Sequence, residues 1–439
     1  MSLKSSIKKL LPKGFLSFYH LTLARLGTWF YDSPSRDMVV VGVTGTRGKT
    51  SAANFLWAAL TAAGYKVGQT GTANIRIGNI ERLNPYHMTM PGRFRMQKIL
   101  AEMRDAGCEI AVVETPSEGV EQFRHVGIAY DMLVFTVLYP ERLAIHGWDP
   151  ERCAAKMLEL FAELMKQPRK KLRGTDIPKT IVANRDSDGF ARFFDNPADK
   201  KITYGLSEGA QVRATGISAN AHGVDFSVDG HGFHLNIAGE YNAANALPAI
   251  AIARELGATD ASIAAGLAAL GAIPGRMERI SSAQPVSVYV DYAHDGPSME
   301  ALLKSACSMR APGKKIIIVV GAEGGGRDKD KRPVMGRLCA ELADAIIVTD
   351  VDPYEDEPAP IRADIFRAAG AHGKTEGRDL FDIADRRAGI AKALALAKPG
   401  DLVLVTGKGA EQSMEIGGKS IPWDDRMVVR EELGRMSND

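Results

Sequence analysis

Along this chain, short runs of apolar residues alternate with stretches whose apolar positions recur every three or four residues. The runs are Met38–Val41, Glu109–Glu114 (EIAVVE), Asp131–Val137 (DMLVFTV), Val286–Val290, Ile316–Val320, Ala345–Val348 and Leu402–Val405. Apolar on both faces, they suit strands buried inside a parallel sheet. Between them, Phe55, Leu56, Ala59 and Leu60 fall at helical spacing, and helices are predicted over Phe94–Ala106 and 239–257. Gly64–Ile77, with a turn at Gly78-Asn79, reads as a second strand region. Residues 201–237 read as short alternating strands, a β-hairpin insert. Strands alternating with helices predict an α/β fold with a doubly wound, mostly parallel sheet. Three segments follow: a short helical one over 1–37, a central domain over 38–274, and a Rossmann-like α/β domain over 275–439.

Composition narrows this little. The 439 residues are 45% hydrophobic and 25% charged, as in ordinary globular proteins. A net charge of +2 gives no electrostatic case for a nucleic-acid partner. Cys108, Cys153, Cys307 and Cys339 are far apart, which fits a reducing cytoplasm rather than a disulfide or zinc framework.

The sharpest local signal is Met38–Ala59, MVVVGVTGTRGKTSAANFLWAA. A buried strand leads into a glycine-rich turn, Gly42–Gly48, and Lys49, Thr50 and Ser51 open a helix. Such a loop turns backbone N–H groups and a helix N-terminus toward anionic oxygens. Lys49 is placed to reach the β/γ-phosphates of a nucleotide, and the Thr50 hydroxyl to ligate Mg²⁺. Val43 stands where the usual spacing has a glycine; the plain alternative is a tight strand-to-helix turn. Glu114 ends a strand at the edge where ligands collect in such sheets, so it is a candidate Mg²⁺ ligand.

The form Thr44-Gly45-Thr46-Arg47-Gly48-Lys49-Thr50 resembles the TGTxGKT loop of the Mur ligases, ATP-dependent amide-forming enzymes of cell-wall assembly related to folylpolyglutamate synthase. The resemblance spans the central domain. It implies ATP contacts at Gly45, Thr46, Gly48, Lys49, Thr50 and Ser51, with Asn242 and Asn245 on the adenine. MTMPGRFRMQKILAEM resembles the muramyl-substrate loop, with Thr89 kept. VVETPSEG resembles the strand whose glutamate, here Glu114, binds magnesium. LYPERLAIHG and CAAKMLELF resemble the segments holding a histidine, His146, and the lysine that the family carbamylates, Lys156. By its sequence alone Lys156 is an ordinary helix lysine. Arg142 and Glu118 stand where the family commonly has histidines.

The C-terminal part resembles the branch of the family that adds the third peptide residue, through GRME, VDYAH, GGGRDKDKRPVMG and GKGAEQSMEIGGKSIPWDDR. That implies Arg276 on the γ-phosphate, Asp291, Tyr292 and His294 framing the nucleotide, and Lys331 and Arg332 near the substrate. Ala410 replaces a usual histidine. Asp352, Tyr354, Gly407 and Glu411 match positions that hold the incoming amino acid. Tyr354 stands where diaminopimelate-adding members have an arginine, and Glu355, Asp356 and Glu357 follow, so a lysine-like amine is expected. The plain alternative is a solvated acidic loop. The expected partners are a small-molecule or nucleotide-linked peptide acceptor and an amino acid, in a cytoplasmic monomer. Two alternatives stand beside this: a folylpolyglutamate-like ligase, and a non-catalytic nucleotide-binding homologue.

Before Met38 only 37 residues stand where the family has a UDP-binding domain, so the acceptor's uridine is expected to be held differently. Ile7, Leu10 and Leu11 share a face among Lys4, Lys8, Lys9 and Lys13, and Phe15–Tyr31 is rich in Leu, Phe, Trp and Tyr. His20 and Arg25 interrupt a run too short to span a bilayer. Helices packed on the next domain are the favoured reading; the other is an interfacial helix in peripheral contact with a membrane.

Overall fold

The computed structural model describes residues 13–140, 144–281 and 284–436. The expectations about Lys4, Ile7, Lys8, Lys9, Leu10, Leu11 and Arg142 lie outside the described residues. The chain forms two compact units: Met1–Ile217 with Asp225–His234 and Asn242–Leu270, and Gly271–Asp439 with Ser218–Val224 and Leu235–Tyr241.

The first unit is built on a nine-stranded sheet. Its order is Val212–Arg213, Lys200–Gly205, Thr180–Asn184, Met132–Phe135, Val39–Thr44, Ile110–Glu114, Val67–Thr70, Asn74–Ile77 and Ile80–Leu83. Pairing is parallel through Val67–Thr70, and the last two strands add as an antiparallel hairpin turning at Gly78-Asn79. All six residues of Val39–Thr44 are buried, as the apolar run predicts for a central strand. The chain leaves that strand to one side and later returns on the other, which makes its carboxyl end the switch point of the sheet.

The expected hairpin insert over 201–237 needs correction. Lys200–Gly205 and Val212–Arg213 extend the large sheet in parallel, and only Thr215–Asn220, Gly223–Val228 and His231–Leu235 form a small separate sheet. Lys200–Gly205 lies near the sheet's rim, where one half is buried and the other is not. A partly exposed strand carries the same sequence pattern as a hairpin arm.

At the amino end of the strand Met132–Phe135, Asp131 is fully buried and shared by two buried lysines. Lys170 Nζ donates to its Oδ2 at 2.6 Å and Lys179 Nζ to its Oδ1 at 2.8 Å. Lys170 also reaches the Ser35, Met38 and Ala129 carbonyls, tying the entry to the central strand to its neighbours.

The helix Lys13–Phe30 packs on the helix Arg93–Asp105. Ala24 and Gly27 face the contact, and a side chain at Gly27 would press on the Phe94 backbone. The packed-helix reading holds for that face.

The second unit has a six-stranded sheet, in the order Glu278–Ile280, Ser287–Asp291, Leu402–Thr406, Ile316–Val320, Ala345–Val348 and Leu380–Asp382. Only the first pairing is antiparallel. The four apolar runs predicted in this part are its four central strands.

Candidate active site

In the first unit, three adjacent strands end together. Val43 pairs with Glu114 across the sheet, and Thr44 pairs with Phe135. The loop after Thr44 is braced by the chain beyond Phe135. Thr46 N–H donates to the Val137 carbonyl at 2.8 Å, and Thr136 Oγ1 donates to the Arg47 carbonyl at 2.6 Å. Gly45, at φ 135°, leaves no room for a side chain, since Thr136 Oγ1 would lie 2.1 Å from its Cβ. Gly48, at φ 78°, opens the helix Lys49–Ala62. Lys49 Nζ donates to the Gly45 and Thr46 carbonyls at 2.6 and 3.1 Å, so its charge folds over the loop. Ser51 is buried in the first helical turn.

The metal candidates meet as expected. Thr50 Oγ1 donates to Glu114 Oε2 at 3.0 Å. Glu114 is fully buried, and Thr72 completes its shell, with N–H to Oε1 at 3.1 Å and Oγ1 to Oε2 at 3.2 Å. A Cβ on Gly71 would overlap the carboxylate, 1.7 Å from Oε1, which fixes a glycine there. Hard oxygen donors from one buried carboxylate and one hydroxyl suit Mg²⁺. Thr89 joins through Thr72, the two hydroxyls standing 2.8 Å apart, so the loop carrying Thr89 reaches the Thr50–Glu114 pair. Nothing in the sequence singles out Thr72; only the fold brings it to Glu114.

Asn242 and Asn245 bond to each other at 3.0 Å, and Asn245 Oδ1 lies against Gly48, 2.6 Å from where its Cβ would stand. The pair therefore borders the phosphate loop itself.

His146 and Lys156 form a second cluster. Buried His146 has Nε2 at 3.0 Å from Ser117 Oγ and Nδ1 at 4.0 Å from Glu121. Burial holds its pKa below the ordinary histidine range, against the pull of Glu121 and Glu118. Lys156 Nζ is 2.6 Å from Glu159 and 3.5 Å from Glu121. Partial burial lowers its pKa, but the two carboxylates outweigh it and hold the ammonium above the usual lysine range.

In the second unit the candidates gather at the carboxyl ends of the strands. Asp291 is buried, and burial raises its pKa although Arg276 and two backbone N–H groups oppose this. Those N–H groups belong to Met277 and Ala293, each at 2.7 Å. The Arg276 guanidinium lies 4.4 Å from the Tyr292 ring centroid, a cation–π stack. His294 Nδ1 is 2.9 Å from the Tyr292 carbonyl.

Glu411, Asp352 and Lys408 form one ionic cluster. Fully buried Lys408 reaches Asp352 at 2.5 Å and Glu411 at 2.7 Å, and the Tyr292 hydroxyl donates to Glu411 at 3.2 Å. Asp352 and Tyr354 sit at φ 37° and 56°, in the left-handed region that non-glycine residues seldom adopt. Gly407 turns just before Lys408 at φ 106°. Lys331 pairs with Glu323 at 3.2 Å, and Arg332 is buried against Asp364 and the Glu323 carbonyl, each at 3.2 Å. Burial alone would raise Glu323, but Lys331, His294 and Arg327 hold it well below the usual carboxylate range. Lys408 stands inside a sequence motif and Glu323 immediately before one, and neither is marked by it.

Arg327 hydrogen-bonds the Tyr354 side chain. Asp356 accepts the Gly325 N–H at 2.9 Å, which leaves Glu355 and Glu357 as the exposed acidic residues without that task. The expected acidic lining is thus smaller than the sequence suggests, and a guanidinium stands beside Tyr354.

A phosphate loop at a sheet switch point, with a hydroxyl and a buried carboxylate set for a divalent cation, defines a P-loop nucleotide-binding protein. Residues 43–253 match the Mur ligase middle domain, and residues 275–409 match the domain described as Mur ligase, glutamate ligase domain. A UDP-N-acetylmuramyl-tripeptide synthetase of Roseiflexus sp. is 34% identical over 428 residues, covering 95% of this chain and 82% of its own. A UDP-N-acetylmuramoyl-L-alanyl-D-glutamate--2,6-diaminopimelate ligase of Geobacillus thermodenitrificans is 34% identical over 412 residues, covering 93% of this chain and 81% of its own. The folylpolyglutamate synthase of Mycobacterium tuberculosis, solved with ADP and AMPPCP, shares the fold at TM-score 0.67 and 19% identity over 95% of each chain. The chain belongs to the Mur ligase family. It is an ATP-dependent, ADP-forming ligase, and the family uses Mg²⁺.

Proposed function

We propose that this ligase adds an amino acid to a nucleotide-linked muramyl-peptide acceptor during peptidoglycan precursor synthesis. The observation that supports this is the hydrogen-bonded set Thr50, Glu114, Thr72 and Thr89, next to Lys49, which joins the phosphate loop to the loop that resembles the muramyl-substrate loop. A carboxylate is a poor electrophile at neutral pH, so it must be activated. Its oxygen attacks the γ-phosphorus of ATP, the bond to the bridging oxygen breaks, and ADP leaves. The amine nitrogen then attacks the acyl carbon, the acyl C–O bond breaks, and inorganic phosphate leaves with the amine's proton passing to solvent or base. Lys49 neutralises the charge spread over the transferring phosphoryl group. Thr50 and Glu114 would hold a magnesium ion, which when bound would supply further neutralisation. Asn242 and Asn245, which border the phosphate loop, hold the nucleotide in this reading. Phosphate release from ATP is expected with a muramyl-dipeptide acceptor and a diamino acid. Release only with a pteroyl-glutamate acceptor and glutamate, or with neither, rejects it.

Lys156 carries a carbamate in the active form of this reading. The carbamate needs a neutral amine, and Glu159 and Glu121 favour the ammonium. Labelling with ¹³C-bicarbonate is therefore expected to give a carbamate signal that grows as pH rises from about 7 to 9. No signal in the wild type, or an equal one in Lys156→Ala, removes the modification.

The amine is a dicarboxylic diamine of the 2,6-diaminopimelate class, the amine named for the Geobacillus relative. Its support is Arg327 beside Tyr354, a cation suited to pairing with a distal carboxylate. With both amines present, mass analysis is expected to find the diaminopimelate product in excess over the lysine product. Arg327→Ala is expected to lose that excess, roughly tenfold or more, with the ATP KM little changed. A wild-type preference for lysine overturns the assignment and returns weight to Glu355 and Glu357.

A further inference from the structure

The helix Lys13–Phe30 has one face against Arg93–Asp105 and another facing outward. Phe18, Thr22, Arg25, Leu26 and Trp29 recur at helical spacing on the outer face, flanked by Tyr19 and Phe30. Phe18 is 68% exposed, Trp29 79% and Phe30 65%. The patch continues onto the neighbouring helix, where the Phe94 ring lies 6.1 Å from that of Phe30 and is itself exposed. Large aromatic residues clustered on one helix face are not the surface a globular protein ordinarily presents to water.

Charge says what covers it. The first 31 residues hold Lys4, Lys8, Lys9, Lys13 and Arg25, and none of the 53 Asp and Glu of the chain. Over the rest, acidic and basic residues nearly balance, so along the sequence the positive charge is concentrated in the same stretch as the aromatics. Arg25 lies in the aromatic face itself, and Arg95 is exposed one residue beyond Phe94. A protein partner would answer aromatics with a complementary pocket, and a second copy would bring the same positive charge against itself. An anionic bilayer answers both features at once: headgroups pair with the cations, and aromatic rings settle at the boundary between headgroups and chains. No helix among the described residues is long and apolar enough to cross a membrane, so the contact is one of lying on the surface.

We propose that the outer face of the helix Lys13–Phe30 seats this ligase on an anionic lipid surface. The helix it packs on, Arg93–Asp105, directly follows the loop carrying Thr89, so the docked face borders the acceptor loop within the same unit. The docking is independent of the ligase reading, and its test uses no activity.

The experiment is flotation of the full chain with vesicles of phosphatidylcholine alone or with about 30% phosphatidylglycerol, at low and high salt. Binding is expected to the anionic vesicles only, and to fall at high salt. The triple variant Phe18→Ser, Trp29→Ser, Phe30→Ser alters exposed side chains and is expected to keep its circular dichroism and thermal midpoint while its vesicle partitioning drops about tenfold or more. Trp29→Phe is expected to bind and to lose most of the lipid-induced tryptophan blue shift. Absence of flotation, equal flotation of the triple variant, or a wild-type dimer that the triple variant turns into a monomer without lipid binding overturns the proposal.

Discussion

Lys49→Ala is expected to abolish measurable ADP formation while the protein stays folded. The ammonium is held by carbonyls of its own loop, Gly45 at 2.6 Å and Thr46 at 3.1 Å. It therefore lies where the loop's N–H groups gather and where phosphate oxygens gain charge as the γ-phosphoryl moves. Removing one preorganised charge of this kind costs on the order of a thousandfold in kcat. The structural loss is smaller. Two hydrogen bonds from a half-buried lysine contribute about 1–2 kcal/mol together, less than the stability of a domain. The bracing of the loop by Thr46 and Thr136 against Val137 and Arg47 does not involve Lys49, so the loop keeps its shape. A coupled assay for ADP, with a thermal melt of the same sample, separates the two effects. Turnover within tenfold of wild type in a folded variant would remove the loop from the chemistry.

Much of the architecture was legible because buried parallel strands write themselves as unbroken apolar runs. Each run named in the sequence became a strand, within three residues at its ends. The exceptions have a physical origin. Lys200–Gly205 is buried in only part of its length, and its mixed pattern could not show which neighbour it would pair with. Site residues divide in the same way. Lys49, Thr50 and Glu114 could be found because a loop and a strand end announce themselves locally. Thr72 is an ordinary loop threonine until the fold sets it against a carboxylate 42 positions away. Lys408 stands inside a motif, yet its partner Asp352 lies 56 positions earlier, and no local pattern couples them. The helix Lys13–Phe30 shows a different limit. Its sequence supported packing and surface exposure as rival readings, and a helix has room for both, one on each face.

The replacement of Asp131 by asparagine is expected to produce the largest loss of stability in the first unit. The carboxylate is fully buried, and two ammonium groups converge on it, Lys170 at 2.6 Å and Lys179 at 2.8 Å. The Asp131→Asn side chain would keep the shape and some hydrogen bonding but remove the counterion that the two ammonium groups share. Breaking a buried pair by removing one partner costs about 3–5 kcal/mol, since the remaining charge cannot return to water. That is a large part of what holds an ordinary domain folded. The cost also has a pH signature. Burial, with Lys179 adding to it, pulls Lys170 down to about 8 even though Asp131 opposes the shift. A lysine with a depressed folded-state pKa destabilises most where it must stay protonated, and stability rises as pH climbs through that pKa toward the unfolded value. Without Asp131 the folded-state pKa of Lys170 falls further, so the variant sheds that proton at lower pH than the wild type. The gap between them is then widest below the variant's pKa and narrows as pH approaches 8, where Lys170 is losing its proton in both proteins. Urea unfolding of both at pH about 6 and about 8.5 reads this directly. A loss under 1 kcal/mol, or a gap that widens with pH, would show that the Lys170 and Lys179 ammoniums are held by the surrounding carbonyls rather than by the Asp131 carboxylate.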